Sequence, residues 1–151
     1  MTSGILRTVG WLLVVVAIVS TTAGDARAQR GRGTQAPPEI TGTWSGTWSS
    51  FNPAQATPQP KEVCKKLDAV VARDADGWVA TFEGDCGRPY KYKISMKGRL
   101  AGGVVLFTGT VDLGAQDGGV YDWVGRATGT EFIGFYTSAY STGFFNLTQV
   151  K

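Results

Sequence analysis

Over residues 90–97 the chain alternates without a break: Tyr90, Tyr92, Ile94 and Met96 against Lys91, Lys93, Ser95 and Lys97. A period of two is that of a β-strand with one face on a core and the other in water. The same reading predicts strands at 41–49, 63–73, 78–84, 90–97, 103–112, 119–127, 131–139 and 143–150, with no segment of helical period between them. Eight short strands joined in sequence can pair first with last and leave no free edge, so the expected fold class is all-β, an eight-stranded antiparallel up-and-down (meander) barrel. A two-sheet sandwich is the alternative.

A recurrent device favours the barrel. An aromatic residue followed two positions later by glycine appears as Trp44-Ser45-Gly46, Phe82-Glu83-Gly84, Phe107-Thr108-Gly109, Trp123-Val124-Gly125 and Phe132-Ile133-Gly134. Glycine weakens a strand unless the sheet coils sharply there or a neighbouring side chain fills the space. The expectation is a closed barrel whose rings pack over its glycines.

Parity assigns the interior. Trp44, Gly46, Trp48, Tyr90, Tyr92, Val105, Phe107, Tyr121, Trp123, Phe132, Tyr136, Phe145 and Leu147 face inward. In a meander alternate loops fall at one end, and the loops around 50–61, 85–89, 113–118 and 140–142 share the end with the longer and more varied segments. This is the expected open end. The other carries short turns near Ala75, Arg99 and Gly129, with Trp44 and the lead-in as its plug. The candidate ligand contacts are therefore Trp48, Tyr90, Tyr92, Tyr121, Trp123 and Tyr136, with Arg88 as an anchor for an acidic group. Tyrosines converging on one end need hydrogen-bond partners, which a ligand or water supplies. The competing reading is a lumen filled by its own side chains.

The ends of the chain change the compartment. Residues 11–19 form an apolar run too short to span a bilayer, followed by Ala26-Arg27-Ala28, the small-x-small pattern of a signal-peptidase site. The expected organisation is a signal peptide over 1–28, a flexible lead-in over 29–40 and a barrel domain over 41–151, in a secreted or periplasmic protein. Removing 1–28 takes Arg7 and Arg27 from 15 basic residues and Asp25 from 12 acidic ones, leaving a net charge of +2. With no concentrated basic face, nucleic acid is not an expected partner. No membrane span is expected after the leader.

Cys64 and Cys86 in an exported chain argue for one disulfide at the open end of the 63–84 hairpin. By strict alternation the two cysteines fall on opposite faces, so the pairing requires a one-residue bulge or a meeting in loop. There is no histidine, and two thiolates do not complete a structural zinc shell, so no metal or cofactor is expected.

Outside the barrel, strands two to four carry Lys66, Asp68, Glu83, Lys91, Lys93 and Lys97, whereas strands five to eight carry Val104, Leu106, Val120, Val124, Ile133, Phe135 and Phe144. Strands apolar on both faces imply a covered outer surface, hence a homo-oligomer through strands five to eight, unless the lead-in or the 50–61 loop covers it.

The tripeptide Gly42-Thr43-Trp44 on the first strand of such a meander resembles the Gly-x-Trp start of avidins and lipocalins. That resemblance implies a calycin-type barrel whose tryptophan closes the floor while small ligands enter at the opposite end. It assigns no particular ligand.

The leading functional expectation is a non-catalytic binder of a small, partly apolar ligand at the open end. A second is a protein-interaction or structural envelope protein using its loops or outer patch. An enzyme finds little support: Glu83, Asp112, Asp117, Asp122 and the tyrosines are its available acids and bases, and no nucleophile stands beside a base.

Overall fold

Alternating sequence has become a closed ladder. The computed structural model describes residues 36–52, 61–85 and 92–151, and its strands are β1 (Gly42–Phe51), β2 (Lys61–Asp74), β3 (Gly77–Asp85), β4 (Tyr92–Ala101), β5 (Val104–Asp112), β6 (Val120–Ala127), β7 (Glu131–Thr137) and β8 (Thr142–Gln149). Each pairs antiparallel with the next, and β1 returns to β8 in unbroken register from Trp44 opposite Gln149 to Phe51 opposite Thr142. The barrel is the expected one, not a sandwich. The predicted leader (1–28) and most of the predicted lead-in lie outside the described residues. Among described residues no helix is long and apolar enough to cross a membrane.

Inward parity holds throughout. Trp44, Trp48, Phe82, Ile94, Met96, Phe107, Tyr121, Trp123, Phe132, Tyr136, Phe145 and Leu147 are all buried in one core. Where the lead-in meets β1, Ile40 is fully buried, and its carbonyl accepts a 2.9 Å hydrogen bond from Trp44 Nε1. The floor is thus plugged and its indole satisfied.

Several glycines sit under rings, though never the ring two residues earlier, while Gly46 and Gly109 lie against the backbone of β8 and β4 instead. A side chain at Gly84 would strike the Trp48 indole; at Gly98, Phe107; at Gly125, Phe132 and Phe145; at Gly134, Phe145 and the Val124 carbonyl; at Gly143, Tyr136. Small positions on one strand receive large residues from another, which lets several aromatic rings share a narrow lumen. The motif was read along the strand, and the packing acts across it.

Several expected boundaries move, β1 running on to Phe51 and β2 starting at Lys61 among them. The stretch 98–102 was expected to be a turn, yet β4 runs on to Ala101 and only Gly102 and Gly103 separate it from β5, because Gly98 is a strand position roofed by Phe107. Gly102, at φ 62°, makes the reversal. β7 ends at Thr137, not 139: Ser138 Oγ accepts from the backbone N–H of Tyr140 (3.2 Å) and Ser141 (3.0 Å), which draws the chain into a tight turn. The β1–β2 ladder shifts register between Gly46, opposite Leu67, and Trp48, opposite Cys64, so β2 carries one extra residue there. Cys86 lies outside the described residues, and so does the expected disulfide.

Candidate ligand site at the open end

Cross-strand register builds the site. Trp123 on β6 is directly opposite Tyr136 on β7, and their rings stack at 4.5 Å with 25° between planes. Trp48 on β1 stacks against Trp123 at 5.8 Å and 27°, and its ring reaches over Gly84 because that glycine has no side chain. Tyr92 lies 6.1 Å from Trp48, and Tyr121 lies 6.0 Å from Tyr136. Such pairs contribute roughly 0.5–1.5 kcal/mol each beyond their buried area. Below this layer Phe82, Phe107, Phe132 and Phe145 form a second, with Phe107 and Phe132 4.8 Å apart.

Above the rings remains a cavity of about 70 Å³ lined by Trp48, Ser50, Tyr92, Leu113, Asp117, Tyr121, Trp123, Tyr136 and Ser141. Five of the six predicted aromatic contacts line this one space. Tyr90 and Arg88 lie outside the described residues, as do the connecting segments 53–60 and 86–91. Phe82 and Phe145 belong to the layer beneath. The volume is far below the ~300–1,000 Å³ of pockets that engulf a drug-sized molecule. At about 30 Å³ per water it holds two waters or a few heavy atoms of a ligand.

A structured loop roofs the cavity. Between β5 and β6 the chain folds into a single 3₁₀ turn (Ala115–Asp117), closed by hydrogen bonds from Leu113 N to Gly119 O and from Gly119 N to Gly114 O, both 2.9 Å. Asp112 Oδ1 accepts from Gly114 N at 2.8 Å and starts the turn. The loop is tied to the barrel because the Tyr92 hydroxyl donates to Asp117 Oδ1 at 3.0 Å. Asp117, Ser50, Leu113 and Ser141 were not among the predicted contacts. The run Asp117-Gly118-Gly119 is the sequence signal that a carboxylate sits on a sharp bend.

Two of the three lining phenols are already engaged, that of Tyr92 with Asp117 and that of Tyr136 as follows. Tyr136 donates to the carbonyl of Ser49 at 2.9 Å, crossing β8 where Gly143 offers no side chain to obstruct it. Burial raises its pKa well above the ordinary phenol value, with the nearby Tyr121 acting in the same sense and a hydrogen bond with Ser50 opposing. It therefore stays neutral. The tryptophans differ: the Nε1 groups of Trp48 and Trp123 are buried and have no hydrogen-bond partner. An unpaired buried donor costs about 1–3 kcal/mol. The sequence argument placed unmet hydrogen-bonding demand on the tyrosines, and the geometry places it on the indoles.

Among the described lining residues Asp117 is the one carboxylate and none is basic. Asp122 faces outward as parity required and accepts from Thr110 Oγ1 at 2.7 Å. Among the described residues no group of three or more His, Cys, Asp or Glu side chains could hold a metal ion.

These features define a small closed up-and-down β-barrel, plugged at one end and holding an aromatic-walled, donor-bearing cavity at the other. No family model, curated protein or solved structure matches the chain.

Proposed function

We propose that this protein is an exported, non-catalytic β-barrel that binds a small, partly apolar ligand at its open end, taking one anchoring group into the cavity and leaving the remainder in the mouth. The observation that carries this reading is the space at the open end where Trp48, Tyr92, Tyr121, Trp123 and Tyr136 meet beneath a loop tied to the barrel by the Tyr92–Asp117 hydrogen bond. Rigid rings give contact area at low entropic cost. The plugged floor and the opposite mouth support kinship in plan with avidins and lipocalins, at the level of architecture. Titrating small hydrophobic and aromatic compounds against intrinsic tryptophan fluorescence tests the proposal. A saturable change is expected, since Trp48 and Trp123 stand at the site. No change with any compound, together with a crystal structure holding water alone in the cavity, overturns it.

The second reading, a homo-oligomer, rests on the outer surface. Val124, Phe135 and Phe144 stand in one register row across β6, β7 and β8, and all three are exposed. Along β6 this row is flanked outward by Asp122 on one side and Arg126 on the other. Two copies packed face to face about a two-fold axis running across the strands at Val124 bring Asp122 of each near Arg126 of the other, which makes the patch self-complementary. Light scattering at micromolar concentration tests this: a dimer is expected, with Phe135→Glu returning a monomer. A monomer for the unaltered chain removes the oligomer and leaves the ligand site untouched.

A further inference from the structure

Resting on the binding function proposed above, we infer that the loop 113–119 is a hinged lid, and that a ligand enters by lifting it and seats a whole ring beneath. Size sets the requirement. A cavity that accepts benzene measures about 150 Å³, and the space between the rings and the loop, at about 70 Å³, is less than half of that. With the loop in place the space takes no ring, so one of its boundaries moves when a ring-bearing ligand binds.

The described boundaries are unequal. On one side the wall is laddered strand by strand: Trp123 is paired with Tyr136, Tyr136 with Gly143, and Trp48 with Phe145. Beneath lies the phenylalanine layer, where Phe82 and Phe145 meet at 5.4 Å. Displacing either would disrupt the barrel itself. The roof is different. It is the tip of the β5–β6 hairpin, and it brings Leu113 and Asp117 to the lining. Leu113 rests against the core, and a side chain added at Gly118 would strike the Tyr121 hydroxyl, so the loop lies directly on the rings without belonging to a strand.

The stem of this loop is held from one side. β4 and β5 pair from Ala101 opposite Val104 up to Lys97 opposite Thr108, and among the described residues no ladder pair joins them beyond that point. From there toward the mouth, residues 109–112 pair with β6, while residues 92–96 of β4 pair with β3. Across this interval the Tyr92 hydroxyl reaches Asp117 Oδ1 at 3.0 Å, a latch between β4 and the lid. The hinges are glycines. Gly114 and Gly119 have φ of 83° and 72°, a region that glycine enters and leaves freely, and nothing lies within 4 Å of where a side chain at either would stand. The tip therefore has room to turn outward.

Amide hydrogen exchange of the ¹⁵N-labelled full chain, combined with a toluene titration followed on the side-chain signals of Trp48, Tyr121 and Trp123, tests the lid. Tyr92→Phe opens the latch, and Gly119→Ala strains the closed loop at a left-handed position. Gly102→Ala is the control: it puts the same strain on the turn at the other end of β5, where φ is 62° and an added side chain likewise meets nothing. The expected result is saturable toluene binding to the unaltered chain. Tyr92→Phe and Gly119→Ala should each speed exchange at the loop-bonded amides of Leu113, Asp117 and Gly119 by about two- to tenfold, the range of one hydrogen bond. Each should tighten toluene binding by the same factor, because both measurements read the population of the open loop. Gly102→Ala should change neither. If toluene binds all four proteins with equal affinity, a binding site stands but the loop is not its entrance. If loop exchange is no faster in either variant, the latch and hinges are overturned whatever binds. If toluene binds none of the four, the lid falls, and the fluorescence titration described above judges the binding function separately. Protection in the β6–β7 ladder reports that each variant is folded, and the two loop variants act on different atoms, so the loss of one leaves the other to decide.

Discussion

Trp44 and Trp48 lie on the same face of the same strand, one turned to the floor of the barrel and one to its mouth. At the floor, Trp44 packs edge-on against Phe132 at 5.9 Å and gives its N–H to Ile40, so its own donor is satisfied. At the mouth, Trp48 is nearly as buried and stacks as closely, yet its N–H meets nothing. The same residue type is a finished structural part in one layer and an unfinished one in the other. Locally broken consistency of this kind is what a functional site looks like in an otherwise self-consistent fold.

The contrast can be broken most severely from the floor. Phe132 touches Trp44, Phe82, Phe107 and Phe145, so Phe132→Ala should cost about 3–5 kcal/mol, read as a lowered urea midpoint. Gly134→Ala adds only a methyl, but that methyl meets the Val124 carbonyl as well as Phe145, and backbone cannot step aside. A loss of about 1–3 kcal/mol is expected by the same measurement.

The sharpest comparison pairs two identical substitutions. Trp44→Phe strands the Ile40 carbonyl and should cost about 1–3 kcal/mol, whereas Trp48→Phe removes a donor that had no partner and should cost less. Equal losses would erase the distinction between the layers. A smaller effect is expected from Tyr92→Phe, about 0.5–1.5 kcal/mol, by untying the β5–β6 loop from the barrel.

The mouth should also show itself in alkali. Above a pH of about 10 an unfolded chain releases the Tyr136 proton while the folded one retains it, so folding stability falls as pH rises beyond that point and is indifferent to this group below it. Urea midpoints measured from pH 9 upward should decline, and Tyr136→Phe should flatten part of that slope. A slope identical in both proteins would mean that this phenol is not held protonated.

The fold could be read from the chain because its two carriers, period-two alternation and strand glycine, are both local. They placed the eight strands, the inward rings and the end at which Trp48, Tyr92, Tyr121, Trp123 and Tyr136 meet. Gly98 misled for the same reason. A glycine beside a charged residue reads as a turn, and only the ring of Phe107 arriving from β5 makes it a strand position. Asp117 escaped because its importance lies in a hydrogen bond across 25 residues to Tyr92. Whether a buried indole finds an acceptor depends on which carbonyl ends up within reach, and Trp44 differs from Trp48 in nothing that a list of residues displays.

Gly125 and Gly134 face each other across β6 and β7, and the Phe145 ring comes up against both. That ring works as a bulkhead: two missing side chains on the wall let one large one seal the passage, so the compartment at the mouth has no route downward into which it could grow. On the proposed binding function, changes in the 113–119 loop would reshape the mouth while the lower half continues to hold the barrel together.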